Sequence, residues 1–316
     1  MTKKENKVAK FECYIPDARV EMWSTQHIPF EPKGEVKQAR DCLKAKIKCL
    51  DCNGQDTAPN KRVRHAVYWS LDESNNASDV ENILTYNIGV WTEVSKEFPI
   101  LRFERAFRSP PKNSNLPEAT HHYSYRIRGE GNDFDHWKLV KPCWNIEVPL
   151  NQSVPFKGDY AHYGFWLATS RAIAKKSPPT MPLFTDSNRF ALKVRVQLPG
   201  GKPVCVKKLL DGVITAMHPY KGVNIDEVAA GIAKVAPLKC LQKEAKQLLS
   251  SRTGSPLAPR ECFQRYSGAK NGLKMNPGDD RCVAVEISLI RECVEPDCMH
   301  VELYAFTDKC PCPLIC

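Results

Sequence analysis

The stretch Arg189–His218, RFALKVRVQLPGGKPVCVKKLLDGVITAMH, changes its hydrophobic period part-way through, and that change limits what the chain can become. Phe190, Leu192, Val194, Val196 and Leu198 alternate with Ala191, Lys193, Arg195 and Gln197. A period of two is that of a half-buried strand, here with a basic outer face. Pro199-Gly200-Gly201 breaks the run. Val206, Leu209, Leu210, Val213 and Met217 then recur every three or four residues, which predicts an amphipathic helix over Pro203–His218. Lys207 and Asp211 stand one turn apart on that helix and can pair. Such a pair is either part of a site beside a sheet or a surface ion pair.

The same periods organise the rest. Phe11–Ile15, Val20–Thr25, His65–Leu71 and Ile100–Phe107 have strand character, and Glu35–Leu50 has helical spacing. Ser78 with Glu81 makes a capping box for a helix through Ile83, Leu84, Ile88, Trp91 and Val94 to Pro99. His121–Arg128 and Trp137–Val148 flank a Gly-rich turn and predict paired strands. Tyr163–Lys176, Ile225–Ala236 and Leu238–Leu249 are predicted helices. Cys282–Glu292 and Met299–Phe306 alternate as a predicted hairpin around Glu295-Pro296-Asp297.

This order runs twice. Trp144–Leu150, Tyr163–Lys176, Arg189–Leu198 and Pro203–His218 follow one another as Phe11–Ile15, Glu35–Leu50, His65–Leu71 and Ser78–Phe98 do. The expectation is an α+β fold of two related halves, each a small mixed sheet with helices packed on it. A basic leader, 1–10, precedes a first half at 11–142. The second half, 143–316, carries a helical and basic-loop insertion at 219–278.

Charge is uneven. Residues 1–150 hold 23 Lys/Arg against 21 Asp/Glu, and the remainder 23 against 15, so most of the net +10 lies in the second half. That is an argument for an anionic partner, nucleic acid first, set against a merely solvated basic surface; the preference for DNA comes with the resemblance given below. No apolar run is long enough for a bilayer, which argues against a membrane partner. The charged start lacks the apolar core of a signal peptide, so a cytoplasmic location and mostly reduced thiols are expected of the 14 cysteines. Cys13, Cys143, Cys205, Cys262 and Cys282 adjoin apolar runs and fit buried thiols.

Metal-assisted phosphodiester cleavage needs carboxylates around a hard cation. Asp211, on its helix, and Asp279-Asp280, just before the strand at Cys282, are candidates in the second half. Asp79 and Glu81 are candidates in the first, although a helix N-terminus also favours acids for its dipole. The order of strand, helix with Lys207 and Asp211-Gly212, then Asp279-Asp280 before a strand resembles the RusA-type Holliday-junction resolvases. That family shows an Asp-x-Asp-Asn stretch ahead of the Lys and Asp-Gly. Here those positions read Gly201, Pro203 and Val204 in the second half. Asp79, Glu81 and Asn82 match them in the first half, where Thr85 and Gly89 replace Lys and Asp. The stretch from Asp211 to Asp279 is longer than the family's. The resemblance covers about a third of the chain and implies a Mg²⁺-dependent endonuclease of branched DNA. Lys207, Asp211, Asp279 and Asp280 would be catalytic, and Asp79, Glu81, Asp211, Asp279 and Asp280 would hold Mg²⁺. With the motif split between halves, a non-cutting DNA-binding protein is the alternative within this class. Outside it, the rival is a non-catalytic protein whose basic face meets an acidic protein partner.

Two further readings come from residues alone. Arg252, Arg260, Arg265, Lys270 and Lys274, interleaved with Phe263 and Tyr266, could track a nucleic-acid backbone and stack bases, or form a solvated loop. Cys49-x-x-Cys52 with Cys310-x-Cys312 could close a structural Zn²⁺ site if the two ends meet; otherwise these are loose thiols.

Overall fold

Alternating strands gather into a single mixed sheet with every long helix on one side of it. The computed structural model describes residues 10–16, 19–53, 62–71, 79–111, 114–129, 134–136, 141–150, 156–176, 184–185, 188, 189–198, 202–235, 242–251, 254–290 and 297–306. Thirteen strands and five α-helices are assigned among them. They are β1 Phe11–Tyr14, β2 Arg19–Ser24, α1 Gly34–Asn53, β3 Arg62–Ser70, β4 Glu93–Val94, β5 Ile100–Ala106, β6 His121–Gly129, β7 Trp144–Pro149, α2 Ala161–Lys175, β8 Arg189–Val196, β9 Val204–Cys205, α3 Val206–Met217, α4 Ile225–Ala233, α5 Gln242–Ser250, β10 Phe263–Arg265, β11 Leu273–Met275, β12 Cys282–Leu289 and β13 Cys298–Phe306.

Nine strands form the sheet, in the order β1-β2-β6-β3-β5-β12-β8-β13-β7. Its centre is the antiparallel pair β5/β12, joined at Arg102 and Glu286, which also form an ion pair. Outward on one side the pairings run parallel to β3, then antiparallel to β6 and to β2. On the other they run parallel to β8, then antiparallel to β13 and to β7.

Burial follows the alternation. Val20, Met22, Ala66, Tyr68, Leu101, Phe103, Val285, Ile287, Leu192, Val194, Val301 and Ile146 face one continuous hydrophobic cluster. The same cluster takes Leu43 and Ile47 of α1, Phe165 and Trp166 of α2, and Leu209, Leu210 and Val213 of α3. Stretches 11–142 and 143–316 therefore share one core. At about 25 cal/mol per Å² of apolar area, this shared face is the main favourable term in folding. The opposite face mixes charge pairs that cross strands, Arg102–Glu286 and Arg195–Glu302, with two smaller apolar clusters around Ala284 and around Trp23 and Trp69. The basic outer face expected of β8 is present at Lys193 and Arg195.

Several sequence expectations are corrected. β12 and β13 are not a hairpin, because β8 lies between them. β6 and β7 are not partners either; they lie on opposite sides of the β5/β12 centre. The helix expected over 78–98 shrinks to a π-helical turn, Asn82–Tyr86, followed by β4. Its apolar spacing is satisfied by a turn and a short strand that reach the same core: Ile83, Leu84, Ile88 and Val94 are all buried. Residues 263–275 form the β10/β11 hairpin rather than an open loop. Of the five thiols expected inside, Cys262 and Cys282 are buried, Cys13 and Cys205 are partly so, and Cys143 is exposed. Among the described residues, no helix is long and apolar enough to cross a membrane.

Candidate metal and phosphate cleft

Strand order decides which polar residues meet. β3 and β5 are parallel and β12 is antiparallel to β5, so the C-terminal end of β3 lies at the same sheet edge as the N-terminal end of β12. The loop after β3 carries Asp79, Glu81 and Asn82; the 3₁₀ turn Asp279–Arg281 leads into β12. α3 presents Lys207 and Asp211 between them. Asp79, Asn82, Lys207, Asp211, Asp279 and Asp280 line one cleft of about 1070 Å³, with Lys208, Arg260, Lys274, His27, His162, Phe30, Tyr86 and Tyr266 among its other walls, and Glu81 is buried beside it.

Lys207 Nζ donates to Asp211 Oδ1 at 3.2 Å, the one-turn pairing expected from the sequence, and to Glu81 Oε2 at 3.5 Å. Asp79 is held in turn by Asn82. Its Oδ1 accepts the Asn82 backbone N–H at 2.5 Å, and its Oδ2 accepts from the Asn82 side chain. Glu81 accepts from Thr85 Oγ1 at 2.8 Å. Asp79 and Asp279 line the same cleft, and Asp79 adds to the rise of the Asp279 pKa. Asp280 turns aside to Arg260 Nη1 at 3.2 Å and to Arg281.

Two glycines shape these approaches. A Cβ on Gly212 would stand 2.4 Å from the His162 carbonyl, so the residue after Asp211 must be Gly for α3 to seat on α2. Gly278 has φ +72°, and a Cβ there would sit 2.6 Å from the Arg260 guanidinium.

Crowding carboxylates out of water raises their pKa values. Burial lifts Glu81 to about 8, Lys207 opposing and Asp79 and Asp211 reinforcing the shift. Burial also lifts Asp279 well above the usual range, with Asp79 and Asp211 adding to it. Asp211 is raised mainly by burial, against the pull of Lys207. Burial works against the Lys207 charge, but Asp211, Glu81, Asp79 and Asp279 together hold its pKa up. His162 is pushed down to about 4 by burial and then by Lys208, so its ring is neutral at pH 7, and its buried Nδ1 has no hydrogen-bond partner.

All-oxygen donors of this kind suit a hard divalent cation such as Mg²⁺. Lys207 already bridges Glu81 and Asp211.

The residues proposed from sequence therefore divide. Asp79, Glu81, Lys207, Asp211 and Asp279 come together, and Asp280 lies on the rim. Phe263 does not belong to a base-stacking track: it is 2% exposed and packs on Tyr163, Trp166 and Tyr220. Arg265 is exposed but pairs with Glu227. Arg260, Tyr266 and Lys274 line the cleft, and Lys270 is exposed. Arg252, Cys310 and Cys312 lie outside the described residues. Cys49 and Cys52 are exposed near the end of α1, and among the described residues no third ligand joins them. His27 and His162 escaped the sequence reading; the one available signal was that His162 begins a helix whose partner carries Asp211.

Among the described residues, the one trio of ligand-type atoms all within 4.8 Å is His65, Glu104 and Asp135, on the sheet face away from the helices. Its bonds are already made within the protein. His65 Nε2 donates to Glu104 at 2.8 Å while Nδ1 accepts from Arg126 Nη2 at 3.2 Å. Glu104 also takes the backbone N–H groups of Asp135 and His136 at 2.7 and 3.0 Å, and Asp135 pairs with Arg126 and Arg128. This network ties residues 134–136 to the sheet.

Comparison with family models, curated proteins and solved structures finds no match to this chain.

Proposed function

We propose that this chain is a Mg²⁺-dependent endonuclease, with branched DNA as its substrate class, built as a fused tandem of two related halves. The observation that carries the reading is the convergence of Asp79, Lys207, Asp211 and Asp279 on one cleft, with Glu81 buried beside it and paired to Lys207, although they come from three distant segments. Residues of the two half-motifs that the RusA-type resemblance separates thus stand near one another, which supports the reading. The tandem is supported by the strand pairings, which repeat in the same order on either side of the Arg102–Glu286 centre.

Bound Mg²⁺ would supply a Lewis acid that lowers the pKa of water and neutralises the leaving oxygen. The chain's own part follows from its geometry. Asp79, Asp279 and Asp211 would hold the cation, and Asn82 fixes Asp79 for that task. Lys207 stays charged beside them and stabilises the extra negative charge on the phosphate as water adds to phosphorus and the P–O bond to the leaving sugar oxygen breaks. Lys208, Lys274 and Arg260 on the walls attract the backbone. Phe30 and Tyr86, stacked at 5.1 Å and both exposed, and Tyr266 offer ring faces to unpaired bases.

Asp211→Asn keeps the side-chain shape and removes one charge. It is expected to reduce Mg²⁺-dependent cleavage of a labelled four-way junction at least 100-fold, with an unchanged far-ultraviolet circular dichroism spectrum. Undiminished cutting by the folded variant would overturn the assignment.

A further inference from the structure

From the strand pairings we infer that the fused tandem has one working cleft and one closed position, so that each chain cuts a single strand per binding event. The inference rests on the nuclease reading above and adds to it the form of the product.

The pairings define where a second cleft would lie. Turning the sheet about the Arg102–Glu286 pair carries Leu101 and Phe103 onto Val285 and Ile287, and Ala66 and Tyr68 onto Val194 and Val196. Every one of these side chains faces the same hydrophobic cluster, so the operation preserves inside and outside. It also sets Val94 against Gly278 and Ser95 against Asp279. The helix motifs, aligned on their spacing, set Val204 against Asn82, Thr85 against Lys207, Gly89 against Asp211 and Pro203 against Glu81.

At the related position no carboxylate or lysine stands where the cleft needs one. The place is also filled. Val94 and Val204, both fully buried, pair in the β4/β9 ladder, Glu93 opposes Cys205, and the Thr92 carbonyl accepts from the Val206 N–H at 2.9 Å. Backbone bonding thus joins the loop leaving β8 to the segment entering β5, whereas the corresponding parts face one cleft with Asp79 and Asp279. Among the described residues the counterparts of Asp211 and Asp279 are Gly89 and Ser95, so the carboxylates that face the working cleft are missing there, and the exposed Glu93 is the one acid of the ladder. On a two-fold-symmetric junction one strand is placed for hydrolysis and its symmetry mate is only held.

The test uses a supercoiled cruciform plasmid and a four-way junction labelled on each strand in turn, at one chain per junction, with Mg²⁺ and excess unlabelled junction added after binding. The expected first product is open-circular plasmid with one nick, and linear DNA is suppressed by the competitor. Linear plasmid formed under competitor, from two opposed nicks in one event, would overturn the single-cut inference and leave the nuclease reading standing. No nick with Mg²⁺ or Mn²⁺ would overturn both. A readout that does not depend on cutting is Mn²⁺ binding by calorimetry. Asp211→Asn together with Asp279→Asn is expected to remove it entirely, and a residue of about half the wild-type binding would reveal a second site and overturn the inference.

Discussion

The segment after β3 meets α3 and the turn that enters β12 through side chains: Glu81 and Asp211 pair with Lys207, and Asp79 and Asp279 face the same cleft. The loop leaving β8 meets the segment that enters β5 through backbone, in the two-residue β4/β9 ladder. Both junctions sit at the end of a parallel strand pair beside the centre of the same sheet. The second is ordinary folding economy, with buried valines and satisfied N–H groups. The first gathers like charges in a partly desolvated cleft, which folding alone disfavours. Groups that lower stability in the absence of a ligand are the ones to suspect of function.

The largest effect that separates the two junctions should appear in stability against pH. Glu81, raised to about 8 by burial, holds a proton in the folded chain between about pH 5 and 8 that the unfolded chain has already released. The unfolded state then binds fewer protons, so stability falls as pH rises through that window. In chelator, urea midpoints at pH 5, 6.5 and 8 should differ between wild type and Glu81→Gln, wild type losing on the order of 3 kcal/mol more across that range. Glu104 and Asp279, both raised by burial, add slopes of the same sign, and His162 and His65, both lowered by burial, add the opposite slope below about pH 6.5, equally in both proteins. Val204→Ala, in the ladder, should lower the whole curve without changing its slope. Equal slopes in wild type and Glu81→Gln would erase the distinction between the junctions.

How much of this was legible in the sequence depends on whether the information is local. α1, α3, β8 and the Lys207–Asp211 pair are written in periods of 3.6 and 2.0 and in one-turn spacing, and all are present. Partnership between strands is not written locally. β12 and β13 are joined in sequence by a short turn-like segment, yet β8 lies between them and pairs with both, parallel to β12 and antiparallel to β13. The same non-local choice brings Asp79 and Asp279 to one cleft, so the two half-motifs could be listed from sequence but not joined. Phe263 failed for the opposite reason. Basic residues flank it in sequence, and nothing in that spacing tells an outward ring from one packed on Trp166.

A middle-sized effect tests whether the turn at Gly278 is built for the cleft. Gly278→Ala puts a Cβ at φ +72° and against the Arg260 guanidinium. It should cost about 1–2 kcal/mol in urea unfolding and, by moving Asp279, reduce junction cleavage at least tenfold. Its counterpart Val94→Ala should cost a similar amount through lost packing and leave single-turnover cleavage unchanged. If both variants lost activity in proportion to stability, the turn would have no role beyond folding.

The smallest effect concerns where DNA lies. Lys274 lines the cleft, whereas Lys202, also exposed, precedes β9 on the ladder side. Each phosphate contact releases condensed counterions, so losing one contact flattens the plot of log affinity against log salt by about 0.9 for duplex DNA. Lys274→Gln should show that change when junction binding is followed by anisotropy in Ca²⁺ between 50 and 200 mM salt. Lys202→Gln should show none, because a chain with one open cleft presents its phosphate path on one side. Equal flattening in the two variants would mean that DNA spans both junctions alike, and the asymmetry between them would then be one of cutting and not of binding.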